Sequence, residues 1–370
     1  MTIQPPIMQN KARQSNFELL RILAMVAIIA NHFSLHSGFA FAPGDLSLQR
    51  FYVQLLQLGG KVGVNLFVMI SGYFLIHTTS IKLSKILKLW GQVIFYSVTI
   101  FAVLWLTGNA DLGLKQLVKH ALPITFEIWW FASVYFVLYL VSPYLNRLAA
   151  TLTGRQYVGM LALFTLCWSV IPTLSTMDFQ GNGLIWFSYL YLLGGFLRRY
   201  GHRISLQAGM SLLLGSGILL LTFLSAVVFD ILGTKWGAFA SHATYFFSDR
   251  KVPVVLASVL IFYGFSKLDM GCRPAINRIS GAMFGVYLIH DHLIMRTVLW
   301  QDIFSGTTVS GLLVVPYSLL CIVLVFVVCT AIDMLRHWMF HRPGTWICGK
   351  VEALTAKAQA LVKKRTQNPQ

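Results

Sequence analysis

The stretch RILAMVAIIANHFSLHSGF, residues 21–39, is apolar over most of its length, yet it opens on an arginine and carries a histidine eleven residues later. At about 100° per residue, eleven steps make about 1100°, some 20° beyond three full turns, so Arg21 and His32 share one helical face. At about 1.5 Å of rise per residue they stand about 16 Å apart along the axis. With Arg21 at a membrane boundary, where a long cationic side chain can snorkel, His32 falls near the middle of a ~30 Å hydrocarbon layer. An ionisable group at that depth is costly and faces a cavity or a partner.

The rest of the chain decides whether this stretch lies in a membrane. Its 370 residues are 56% hydrophobic and 11% charged, with a mean hydropathy of +0.69. Soluble globular chains carry roughly 25% charged residues. Apolar runs near 17–38, 54–77, 86–106, 128–148, 156–174, 184–199, 207–230, 252–267, 279–300 and 309–335 approach or exceed the roughly 20 residues that cross a bilayer. The alternating segments of a membrane β-barrel are missing. The predicted fold class is an all-α polytopic integral membrane protein with about ten transmembrane helices.

Charge orients it. With the N-terminus in the cytoplasm, about 21 of the 29 basic residues fall inside and about 8 outside, as the positive-inside rule expects. Both termini are then cytoplasmic. The net charge of +17 is explained by orientation, and nucleic-acid binding drops out as a partner class. Residues 1–16 read as a polar cytoplasmic tail, and the run at 17–38 as a retained first helix with no cleavage site behind it. Residues 17–335 form the membrane unit.

Residues 336–370 form a basic cytoplasmic tail. There Ile347, Val351, Leu354 and Leu361 recur near helical spacing between Lys350, Lys357, Lys363, Lys364 and Arg365. Two readings of it stand open, an amphipathic helix on anionic membrane lipid and a solvated tail. The five cysteines are scattered without CxxC spacing, so neither a metal site nor a disulfide framework is expected. No internal repeat and no inverted pair of broken helices is visible, which removes the usual sequence sign of a secondary transporter.

Read singly, Arg21 is a boundary anchor and His32 a hydrogen-bonded structural histidine. Their shared face instead fits a ligand with an anionic end at the cytoplasmic surface and a reactive end about 16 Å deeper. Acyl-coenzyme A has that shape, with phosphates at one end and a thioester on a flexible arm. A histidine at the thioester is suited to act as general base toward a hydroxyl.

The arginine–ten residues–histidine pattern resembles the first helix of the acyltransferase-3 family of integral membrane O-acyltransferases. GVNLFVMISGYFLI (63–76) resembles the family's second-helix pattern ending in Phe-x-x-x-Ser-Gly-Tyr, and IKLSKILKLW (81–90) is similar to the basic segment that follows. WFASVYFVLYLVSPYLN (130–146) and FGVYLIH (284–290) resemble the fourth-helix and late-helix patterns. Where many members carry a glutamate five residues after the fourth-helix tryptophan, this chain has Tyr135, a variant that looks like the branch found in Gram-positive exopolysaccharide loci.

The resemblance implies a multi-pass protein of the bacterial plasma membrane. It would transfer an acyl group, acetyl above all, from cytoplasmic acyl-CoA (acetyl-CoA) to a hydroxyl of an exported or lipid-linked glycan, with no metal. His32 would be the catalytic base, and Arg21, Lys82, Lys85 and Lys88 would hold the donor. Ser71 and Gly72 are expected to combine helix packing with a channel for the donor's arm. His36, His290 and Tyr135 are secondary candidates, His290 as a group that meets the receiving hydroxyl. Glu18, three residues before Arg21, is placed to orient it. Asn65, His77 and Trp130 receive no role, and an oligomer remains open. The rival readings are a transporter with His32 in a proton or substrate pathway and a non-enzymatic partner in polysaccharide export.

Overall fold

The structure is a computed structural model that describes residues 14–42, 44–175, 177 and 182–367, without the side chains of 341–348 and 354–367. Most of the expected tail 1–16, and the side chains of Ile347, Leu354, Leu361, Lys357, Lys363, Lys364 and Arg365, lie outside the described residues. Within them the chain is helical, with no strand.

In chain order the elements are α1 (Ser15–His36), α2 (Leu48–Leu75), α3 (Leu83–Leu106), α4 (Leu114–Ala121) and α5 (Trp130–Thr151). There follow α6 (Gly154–Leu174), which contains a π-helical stretch at Leu166–Val170, α7 (Gly183–Tyr200), α8 (Ala208–Gly233) and α9 (Val252–Lys267). The last are α10 (Pro274–Ser280), α11 (Met283–His290) and α12 (Val314–Gln367). Among the described residues, six stretches are long and apolar enough to cross a membrane, namely α1, α2, α3, α6, α8 and Gly311–Phe340. Helix starts follow ordinary capping: Ser47 accepts from Arg50 N at 3.2 Å, and Thr153 and Gln156 form a capping box at α6.

One expectation changes. The predicted span 279–300 is not one helix: α10 and α11 part at Gly281 and Ala282, and the helix stops again after His290. The polar run Asp291–His292 turns into the protein interior instead of continuing the helix, and both residues are buried. Unwound backbone at membrane depth is tolerated where protein surrounds it. At the other end, α12 is continuous from Val314 to Gln367, so the last apolar run and the backbone of the following basic segment share one helix.

Small residues set how the helices meet. On α2, a Cβ at Gly60 would collide with the Asn31 side chain, and one at Gly63 would stand 2.7 Å from the Ala24 carbonyl, so α1 lies close against α2. Farther along, a Cβ at Gly72 would strike the backbone of Tyr191, and one at Gly194 the backbone of Met69. The open face of Gly72 is therefore filled by α7, and the channel expected at this glycine is not there. Gly72→Ala is expected to cost about 1–3 kcal/mol by forcing two backbones apart. A parental thermal midpoint in detergent would contradict that crossing.

Two buried polar clusters lock the frame. Asp230 of α8 accepts from Arg50 Nε and Nη2 at 3.0 and 2.6 Å and from Gln54 Nε2 at 2.7 Å. Asp333 of α12 accepts from Tyr96 of α3 at 2.7 Å and from Arg336 at 2.8 Å, and its carboxylate fills the space beside Gly285 of α11. Asn65, left without a role by the sequence, accepts from Trp186 Nε1 at 3.3 Å and donates to the Asp249 carbonyl at 2.9 Å, which is structural bonding.

Candidate functional site

Helix α1 packs against α10 near Arg21 and against α11 near His32, with a polar contact to each. At the Arg21 end, Ser280 Oγ donates to Glu18 Oε2 at 2.5 Å, and Arg21 Nη1 donates to the same oxygen at 2.8 Å. At the other end, His32 Nδ1 stands 3.0 Å from His290 Nε2. His290 Nδ1 lies 2.6 Å from the Val286 carbonyl. A carbonyl only accepts, so His290 carries its proton on Nδ1 and presents a lone pair at Nε2. His32 Nδ1 is then the donor, and Asp291 Oδ1, 3.6 Å away, lies toward the same nitrogen. A neutral imidazole has one N–H, so Nε2 of His32 is left free of hydrogen.

Both ring nitrogens of His290 are thus engaged, and it has none left for a receiving hydroxyl. The role expected for His290 is corrected to partner of His32. His36 sits one turn on, its ring 5.6 Å from that of His32. His32 keeps 14% of its side chain exposed and lines a narrow cavity of about 40 Å³ with Val64, Phe67, Trp130, Phe131 and Tyr287 among others. Trp130, unassigned by the sequence, belongs here. One water occupies about 30 Å³ of liquid, so the space is tight.

A second cavity of about 280 Å³ opens near the Arg21 end, lined by Leu75, residues 77–82, Lys85, Tyr139 and Ser142. It contains Lys82 and Lys85; Lys88 is exposed and is not part of its wall. Phe74 precedes Leu75 and lies under the Arg21 guanidinium at 5.9 Å, while Arg198 stands 5.0 Å over Tyr73. Partial burial, then the nearby Arg199 and Arg198, lower the pKa of His77 below its ordinary value. This end of the protein is a cationic rim.

Between the two cavities runs a seam of α2 and α5. Phe67, Ser71 and Leu75 follow one another at four-residue steps on α2, as do Phe131, Tyr135 and Tyr139 on α5, and such steps share a face. Midway, Tyr135 and Ser71 hydroxyls are 2.9 Å apart, and Ser71 donates to the Phe67 carbonyl at 3.1 Å. Tyr135 therefore donates to Ser71, and His290 and Asp291 are the polar neighbours at His32 instead. Tyr135 also stacks on Phe131, with ring centroids 5.8 Å apart.

A bundle of apolar helices holding a buried histidine about 16 Å beyond a cationic rim is a frame for membrane acyl transfer. The family model described as an acyltransferase domain, acyltransferase-3, matches residues 14–334. The chain belongs to the acyltransferase-3 family, and it is a membrane acyltransferase. Neither a curated protein nor a solved structure matches it.

Proposed function

We propose that the protein transfers an acetyl group from cytoplasmic acetyl-CoA to a hydroxyl of an exported or lipid-linked glycan at the bacterial plasma membrane. The observation that carries this reading is the His290–His32 pair, which leaves a proton-free nitrogen beside the cavity. His32 Nε2 takes the proton of the glycan hydroxyl as its oxygen attacks the thioester carbonyl. The tetrahedral adduct then collapses, the carbon–sulfur bond breaks, and the thiolate leaves with the proton from His32. No acyl-enzyme is needed, and atoms and charge balance at coenzyme A thiol and glycan ester.

The donor's phosphates lie at the rim among Arg21, Lys82 and Lys85, with Lys88 as an outlying charge. Its arm follows the α2–α5 seam past Ser71 and Tyr135, and the acyl end enters the His32 cavity by displacing Phe67 and Trp130. From Leu75 to Phe67 is eight residues, about 12 Å of helix, which suits a pantetheine arm.

The test uses the purified chain in lipid vesicles, with radiolabelled acetyl-CoA and the glycolipid fraction of its source-cell membranes. Label is expected in an alkali-labile ester. Arg21→Gln is expected to raise the donor KM about tenfold, the effect of losing a charge-assisted hydrogen bond. Glycolipid that stays unlabelled, with the donor intact, refutes the reading and favours solute transport.

A further inference from the structure

Beyond His290 the chain leaves the helix at Asp291 and buries His292 completely. His292 Nδ1 faces the backbone N–H groups of Ile294 and Met295 at 3.4 and 3.5 Å. That nitrogen accepts, so in the neutral ring the proton sits on Nε2, a donor with no partner. His120, from α4, reaches the same place, its ring 5.3 Å from that of His292. Its Nδ1 lies 2.8 Å from the Gln116 carbonyl and must donate, which leaves Nε2 as a lone pair without a donor. Trp129, at the start of α5, lies 5.2 Å from His292 by ring centroid, and its Nε1–H is a third group without a partner. His120, Trp129 and His292 are 2%, 1% and 0% exposed.

Buried polar groups are nearly always paired, and exceptions concentrate where a ligand or water supplies the missing bond. Here three unpaired groups from three segments sit on neighbouring rings, two donors and one acceptor. A hydroxyl completes that set by accepting from His292 and Trp129 and donating to His120. A carboxylate or phosphate would set lone pair against lone pair at His120, and an ammonium would leave both donors unmet. Trp129 immediately precedes Trp130 of the His32 cavity, and His292 follows His290 by two residues. Trp129 and His292 are thus chain neighbours of groups at the reacting centre, and His120 packs against His292. α4 covers them, with Leu114, Leu117 and Val118 exposed on its outer face.

We propose that His120, Trp129 and His292 form the seat for a sugar hydroxyl of the glycan, next to the hydroxyl that reacts. The seat rests on the function proposed above and adds its specificity determinant: a neutral saccharide, entering under α4.

The experiment uses the full chain in vesicles with acetyl-CoA and the same glycolipid fraction, varying each substrate separately. His120→Ala and Trp129→Phe are each expected to raise the glycolipid KM about tenfold, as the loss of one hydrogen bond in a desolvated site does. The acetyl-CoA KM is expected to stay at its parental value. His120→Gln, whose amide oxygen reaches the Nε2 position, is expected to restore most of the loss. A parental glycolipid KM in both His120→Ala and Trp129→Phe overturns the seat, since the groups then hold only a buried water. A rise in both KM values together also overturns it. If the parent protein itself transfers no label, the proposed function fails first and the seat fails with it.

Discussion

His32→Asn is expected to lower turnover by about 10²- to 10⁴-fold, the range over which a positioned general base contributes. Asparagine is chosen because its amide can still donate to His290 from near the position of Nδ1, while nothing replaces Nε2. The variant keeps the contact that joins α1 to α11 and deletes the nitrogen proposed as the base. The acetyl-CoA KM is expected to change little, because the proposed seat of the donor's phosphates is about 16 Å away. His290→Gln retains an acceptor opposite His32 Nδ1 and is expected to lose less than His290→Ala. Initial rates of ester formation at saturating donor decide the matter. Parental turnover in His32→Asn would falsify the assignment of His32 as base.

The second large effect concerns stability. Asp230→Ala is expected to destabilise the protein by about 3–5 kcal/mol, because removing one partner of a buried ion pair strands the other charge. Arg50, its side chain 10% exposed, would keep its Nη1 bond to the Ala42 carbonyl but lose the unexposed carboxylate that had accepted two hydrogen bonds from it and one from Gln54. For a chain of 370 residues that corresponds to a fall of about 5 °C in thermal midpoint. The double variant Arg50→Met with Asp230→Leu is expected to recover much of it, since apolar side chains of similar size carry no desolvation penalty. An unchanged midpoint in Asp230→Ala would show that water reaches the pair.

Much of the fold was legible because membrane solvation is written residue by residue. An unpaired backbone polar group is not tolerated in hydrocarbon, so long apolar runs such as 17–38 and 207–230 had to be helices, and α1 and α8 cover them. The same logic misread 279–300, where Asp291 is buried beside Arg296 and His32, and His292 beside the rings of His120 and Trp129. Gly72 misled for a related reason. A missing side chain reads equally as a channel or as a contact, and only the position of Tyr191 tells which. His120 carried no signal at all, being one histidine in a short amphipathic helix far from the other site residues in sequence.

Spacing along one helix is a local matter. Rise and turn per residue put Arg21 and His32 on one ridge and set the depth of the imidazole before any neighbour is known. Which nitrogen of that imidazole carries the proton is decided across helices, by a carbonyl at Val286 acting through His290. That pairing exists because α1, α2 and α11 approach closely enough for side chains 258 positions apart to meet. Such approach depends on the shapes of all the intervening residues together, and no single stretch of the chain contains it.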